Sequence, residues 1–176
     1  NFFVIAGIIS CWYLFRRSPG SDFWAASAVE VGLLACTITL ATGSVWAKAA
    51  WGVWWDVSDP RLMTVAVMWL TYAGYAAMRS TIDEPEKRAR FSAVFGLIAA
   101  ANVPIVYFAI QWFGVSHHPM NVDLGAREMR VTQWFGAAAF FVLYTAGWRL
   151  RVRLHRCRYE AGRLEGDYLD LEPVLR

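Results

Sequence analysis

The sequence predicts an all-α protein, a polytopic bundle of transmembrane helices, on two observations. Of its 176 residues, 57% are hydrophobic and only 18% are charged, a balance outside the usual range of soluble domains. The apolar residues also form long runs bounded by charged residues, and a helix needs about 20 apolar residues to cross the hydrocarbon core of a bilayer. Five such runs indicate five visible spans.

The first two predicted spans are residues 1–15 and 23–45. The first is closed by Arg16 and Arg17 and is shorter than the roughly 20 residues of a complete span. It also begins without a methionine, so we expect the chain to start inside a helix and the full protein to contain six spans. Glu30 lies inside the second span, where a charge costs about 2.5 to 3.5 kcal/mol. It is expected to be paired or protonated between helices, or to take part in ligand passage.

The remaining predicted spans are residues 62–78, 91–113 and 131–150. Within the fourth span, Pro104 cannot donate a hydrogen bond to the carbonyl of Ala100, so we expect a kink there. The last span leads into residues 151–176, which turn from basic to acidic. This tail is expected to continue the last helix into water before fraying.

The distribution of Lys and Arg predicts the orientation, because short cytoplasmic loops carry an excess of both. The connections rich in these residues are those after the first and third spans and the tail, whereas the opposite connections contain only Lys48, Arg61, Arg127 and Arg130. We therefore expect a single membrane domain over residues 1–150, with outer loops 46–60 and 114–130, and a cytoplasmic tail over residues 151–176.

Other function classes lack support in the sequence. The net charge of +3 follows from this topological bias and does not indicate nucleic-acid binding. Cys11, Cys36 and Cys157 show no CxxC spacing, which argues against a disulfide framework or a thiolate metal site. No GxxxxGK[ST] loop is present, so coupled ATP hydrolysis is expected to belong to another chain.

The first outer loop combines tryptophans with charged side chains. Within residues 46–62 stand Trp46, Trp51, Trp54 and Trp55 together with Lys48, Asp56, Asp59 and Arg61. Tryptophan favours the membrane interface, so an anchoring belt in contact with lipid is one interpretation. A belt has no use for acids and bases at this spacing, whereas a flat apolar ligand with charged edges would use both.

Heme is a ligand of this kind. Its macrocycle stacks on aromatic faces, its propionates pair with Arg or Lys, and its iron binds imidazole. The second outer loop contains His117 and His118, whereas the third histidine, His155, lies in the tail. The residues therefore predict a heme site that both outer loops share.

The segment "ATGSVWAKAAWGVWWDVSDPRL" resembles the tryptophan-rich signature of the heme-handling membrane proteins of cytochrome c maturation, most closely the CcmC family. That pattern reads approximately TGS-x-W-x-K and then WGxWWxWDxRL. The matching residues are Thr42, Gly43, Ser44, Trp46, Lys48, Trp51, Gly52, Trp54, Trp55, Asp59, Arg61 and Leu62. The resemblance continues through "MTVAVMWLTYAGYAAMR" and "ANVPIVYFAIQWFGVSHHP" and covers nearly the whole chain except the tail.

The chain departs from the family pattern in one place. Val57 and Ser58 separate Asp56 from Asp59, which makes the segment one residue longer and one indole poorer than the family's. Asp59 is favoured for the family position because it keeps its step to Arg61, although Asp56 remains possible. Counting from Pro104 and Trp112, the resemblance places the heme histidine of the outer loop at His117, with His118 as the alternative.

The resemblance implies a protein that is not an enzyme and that binds heme b non-covalently on the periplasmic side of the bacterial inner membrane. It implies transfer of this heme to the chaperone CcmE, with the ABC-type subunits CcmA and CcmB and the small CcmD as neighbours. A second axial histidine is expected upstream of residue 1. Two other functions stay open: a heme lyase-type enzyme of the same superfamily, and a non-heme scaffold subunit.

Within this hypothesis each site residue has a role. His117 ligates iron, and Trp51, Trp54 and Trp55 form a stacking shelf. Arg61 and Lys48 neutralise the propionates, and Asp59 fixes Arg61 or the loop. The predicted heme-binding residues are Trp46, Lys48, Trp51, Gly52, Trp54, Trp55, Asp59 and Arg61.

Overall fold

The computed structural model describes residues 2–114 and 125–171, with side chains described as far as residue 165. The described chain forms six helices and no strand, which confirms the all-α prediction. The helices are α1 (Phe2–Arg16), α2 (Pro19–Trp51), α3 (Pro60–Ser80), α4 (Pro85–Ala100), α5 (Asn102–Phe113) and α6 (Arg127–Leu171).

Two stretches of the described chain are long and apolar enough to cross a membrane. They are Pro19–Trp51, which is α2, and Pro85–Phe113, which joins α4 and α5. Helix α1 is a shorter apolar helix. The apolar run predicted as the third span lies within α3, and the fifth lies within α6. Helices α3 and α6 are not among the stretches named above. Both contain Trp and Tyr residues, which favour the membrane interface more than its hydrocarbon core.

The helix is interrupted near Pro104, where the sequence predicts a kink. Helix α4 ends at Ala100 and α5 begins at Asn102. Because Pro104 has no N–H to donate to the Ala100 carbonyl, the ladder of hydrogen bonds is interrupted at this point. The N–H of Ala101 instead bonds to the Ile98 carbonyl at 3.1 Å, a tighter turn than that of an α-helix.

The helices pack side by side around small residues and stacked aromatic rings. Phe3 of α1 stacks on Tyr72 of α3 with ring centroids 3.8 Å apart. Gly7 of α1 lies so close to α4 that a Cβ atom there would be 2.5 Å from the Cβ of Ala100. The core between α1, α2, α3 and α4 therefore has little space between the helices, and its packing depends on the close approach of their backbones.

Helix α6 is attached to the bundle through its middle turns. The indole of Trp148 donates to the Trp24 carbonyl at 3.0 Å, and Arg151 and His155 both contact the carboxylate of Glu30. The first turns of α6 are exposed, including Trp134 and Phe135, which are 74% and 77% exposed. Glu30 is therefore paired between helices, one of the two outcomes that its position predicted.

Candidate functional site

The junction between α2 and α3 is shaped by residues that end one helix and begin the next. Helix α2 ends where Gly52 adopts a left-handed conformation, with φ of 79°, and its N–H bonds to the Lys48 carbonyl. Glycine takes this conformation without the steric cost that a Cβ atom brings. Helix α3 begins after Asp59, with Pro60 as its first residue, a favoured pairing of N-cap and first turn.

The helix α2 runs six residues past the predicted end of its span at residue 45. Trp46, Lys48 and Trp51, which the sequence placed in the outer loop, therefore lie on the last turns of α2. The physical reason is the run of alanines between them, because alanine is the strongest helix former and charge or aromatic character alone does not stop a helix. The loop itself comprises residues 52–59.

The tryptophans of this junction offer aromatic surface to a ligand. We call Trp46, Trp51, Trp54 and Trp55 the tryptophan shelf. Trp46 and Trp51 meet edge to face with ring centroids 5.0 Å apart. Trp46 is 59% exposed and Trp54 is 58% exposed, whereas Trp51 and Trp55 are half-buried. The shelf therefore combines two largely exposed indoles with two half-buried ones.

Two cations lie on the helix turns that flank the loop of residues 52–59. Lys48 is exposed, and its Nζ donates to the Gly52 carbonyl at 2.7 Å, which places the ammonium group at the end of α2. Arg61 is half-buried in the first turn of α3. An apolar, aromatic surface with two cations beside it suits a planar ligand with anionic edges.

The two aspartates have different contacts. The carboxylate of Asp56 accepts from the N–H and the hydroxyl of Ser58, at 2.8 and 2.7 Å. Asp59 is fully buried, and one oxygen accepts from the main-chain N–H groups of Arg61 and Leu62, each at 3.0 Å. Asp59 is thus bonded to the backbone that carries Arg61, and Asp56 shapes the loop before it.

The end of α5 lies at the same level of the bundle as this junction. Asn102 donates to the hydroxyl of Thr71 at 3.3 Å, which fixes α5 against α3. Asp59 precedes Thr71 by twelve residues and Gly114 follows Asn102 by twelve. At about 1.5 Å per helical residue, both helix ends lie about 18 Å from this hydrogen bond and on the same side of it. We call this the shelf end of the molecule.

The histidines predicted to bind iron, His117 and His118, lie outside the described residues. The helix that leads to them presents further aromatic surface that the sequence analysis did not count in the site. Trp112 is 58% exposed and Phe113 is 67% exposed, and Trp112 stacks on Phe108 at 5.6 Å. The sequence did contain a signal for these two residues, because they lie at the end of a predicted span.

Comparison with known proteins identifies the family. The family model described as CcmC, heme exporter protein C, matches residues 1–166. The chain belongs to the CcmC family. Heme exporter protein C of Bradyrhizobium diazoefficiens is 35% identical over 118 residues, which is 67% of this chain and 44% of the relative. That of Rhodobacter capsulatus is 30% identical over 159 residues, 87% of this chain and 65% of the relative.

The protein of the same name from Paracoccus denitrificans is 28% identical over 159 residues, 87% of this chain and 66% of the relative. The chain thus spans between 44% and 66% of the length of these relatives. Their names describe an exporter component and not an enzyme. Membership in the CcmC family and the apolar helices together make this chain a membrane protein, and the part that the structure describes is helical.

Proposed function

We propose that this chain handles heme for cytochrome c maturation by displaying heme b, non-covalently, at its shelf end. The observation that carries the proposal is the tryptophan shelf, where two exposed indoles belong to the same helix junction as Lys48 and Arg61, level with the end of α5. These residue types fit the faces and the propionates of heme. The names of the relatives, heme exporter protein C, support the same cargo.

The chain's own residues would share the work of holding this cargo. The shelf would stack on the macrocycle, and the two cations would neutralise the propionates. His117, or His118 in its place, would ligate the iron from one side, and a second histidine upstream of residue 1 would ligate it from the other. Asp59 would keep Arg61 in place by holding the first turn of α3.

Such a site holds heme without covalent bonds, so it can release heme to a partner that offers a better ligand. We propose CcmE as that partner and CcmA, CcmB and CcmD as neighbours. The shelf end would face the periplasm across the bacterial inner membrane, and the tail after residue 150 would lie in the cytoplasm. The excess of Lys and Arg at the opposite end of the helices supports this orientation.

Heme titration of the purified full-length protein tests the proposal. Trp54→Ala should weaken heme binding about two- to tenfold, because an aromatic stacking contact contributes about 0.5 to 1.5 kcal/mol. His117→Ala should lower the amount of heme that copurifies and change the absorption spectrum of the heme that remains. Both effects are measured from the Soret absorbance per chain.

The control is Trp12→Ala, which removes an indole of the same exposure, 56%, from α1, close to the guanidinium of Arg16. This variant should retain its heme. Equal losses in the Trp12 and Trp54 variants would show that the tryptophans only anchor the protein in lipid. Absence of a Soret band would favour the scaffold alternative, and formation of thioether bonds to an apocytochrome would favour the heme lyase.

A further inference from the structure

A second candidate site lies at the end of the molecule opposite the tryptophan shelf. There, a cavity of about 680 Å³ opens between the start of α2, the end of α3, the start of α4 and the second half of α6. Its lining includes Phe23, Tyr75, Arg88, Arg158 and Arg163. This cavity has no part in the proposed heme site, and the sequence analysis did not predict it.

Half of the Arg, Glu and His side chains that line this cavity are already paired. Arg79, which lines it, makes two hydrogen bonds to the carboxylate of Asp22, at 2.7 and 2.6 Å. Glu30 is the acidic side chain among the described residues that line the cavity, and it pairs with both Arg151 and His155. The acid therefore cannot neutralise additional arginines on the rim.

Three other arginines in the lining have positive charge available to bind an anion. Arg158 and Arg163 are exposed on α6 and form no salt bridge with the described part of the chain. Arg88 is half-buried at the start of α4, and its guanidinium contacts the Ile82 carbonyl at 3.4 Å. The rim of the cavity is therefore a cluster of guanidinium groups from two separate helices.

Most of the remaining lining is apolar and includes Phe23, Ala26, Val29 and Tyr75. A pocket with an apolar floor and a basic rim fits an amphipathic anion better than a fully hydrated one. Its position at the ends of apolar helices places it at the level of lipid headgroups, and basic pockets between such helices bind anionic headgroups.

We propose that this cavity binds the headgroup of an anionic phospholipid. The phosphate would be held by Arg88, Arg158 and Arg163, since guanidinium groups bind phosphate oxygens through paired hydrogen bonds. The upper part of an acyl chain would lie against Phe23 and Val29. The bound lipid would then bridge α4 and α6, two helices that have no extensive contact with each other.

Native mass spectrometry of the full-length protein in detergent tests this site. Phosphatidylglycerol should bind, and phosphatidylcholine with the same acyl chains should bind more weakly. The double variant Arg158→Gln/Arg163→Gln should weaken phosphatidylglycerol binding about 25-fold, because each basic residue near a headgroup contributes about fivefold. Both side chains are exposed, so the helix should stay folded.

The matched control is Arg149→Gln/Arg153→Gln, which removes the same charge from exposed positions on α6 outside the cavity lining. Its phosphatidylglycerol affinity should stay within about twofold, and Arg158→Lys/Arg163→Lys should recover most of the lost affinity.

Equal weakening in the two glutamine variants, or equal binding of both lipids, would overturn the proposal. Displacement of the lipid by inorganic phosphate at matched concentration would assign the site to free phosphate instead. Heme titration of the same variants should be unchanged.

Discussion

The geometry of the tryptophan shelf depends more on the residues at the two ends of its loop, Gly52 and Asp59, than on the tryptophans themselves. Gly52 ends α2 in a conformation that favours glycine, and Asp59 begins α3 by accepting two backbone hydrogen bonds. Trp54 and Trp55 lie between these two fixed points. A change at either end of the loop should therefore move the aromatic surface without removing an indole.

Replacing Asp59 separates its role as a helix cap from its charge. Asp59→Ala removes the acceptor of the Arg61 and Leu62 N–H groups and should lower the free energy of unfolding by about 1 to 2 kcal/mol. Asp59→Asn keeps an acceptor oxygen and should cost less. The measurement is denaturant unfolding in detergent, with tryptophan fluorescence as the signal. Equal losses in the two variants would mean that the negative charge, and not the cap, stabilises the loop.

At the scale of helices, apolar runs predicted where the helices lie but not where they end. The interruption near Pro104 was predictable because proline removes a specific hydrogen bond. The extension of α2 to Trp51 was not predicted, because Lys48 and the tryptophans suggested a loop while the alanines between them continue the helix. The last helix does continue past its apolar run, through to Leu171, as the tail composition indicated.

The contact between α1 and α4 yields a prediction at this scale. A methyl group at Gly7 would lie 2.5 Å from the Cβ of Ala100, so Gly7→Ala must push the two helices apart. We expect a loss of about 1 to 3 kcal/mol in the free energy of unfolding, the usual cost of overpacking.

The control for this change is Gly43→Ala, in an exposed turn of α2 with no atom within 4 Å of the added methyl group. It should leave stability unchanged or raise it slightly, because alanine favours the helix. If the two alanine variants unfolded at the same denaturant concentration, the close approach of α1 and α4 would not contribute to stability.

For the whole molecule, the sequence indicated which end carries which chemistry, while the partners across the bundle required the structure. The split of Lys and Arg between the two sets of connections separates the shelf end from its opposite, and tryptophan spacing marked the candidate site. The pairing of Asp22 with Arg79, and of Glu30 with Arg151 and His155, joins residues far apart in the chain. No periodicity or motif specifies such pairs, because they depend on how the helices pack.

The ion pair of Asp22 and Arg79 should be the electrostatic contact on which the bundle depends most. It joins the start of α2 to the end of α3, with two hydrogen bonds and side chains only 9% and 12% exposed. Asp22→Ala leaves a buried guanidinium without its partner, which should cost about 3 to 5 kcal/mol of unfolding free energy. The double variant Asp22→Ala/Arg79→Ala should lose less than the two single changes combined, because it removes the orphaned charge.

A neighbouring ion pair provides the control for this cycle. Glu84 and Lys87 are 2.6 Å apart, but their side chains are 53% and 66% exposed. Water already solvates both charges, so Glu84→Ala should not measurably change unfolding in detergent. Additive losses in the Asp22 and Arg79 cycle would contradict the prediction, because two residues that stabilise the fold through each other must be coupled. If Asp22 and Arg79 show a coupling energy and their variants bind heme as the unchanged protein does, the pair acts in the packing of the bundle, at the end away from the proposed heme site.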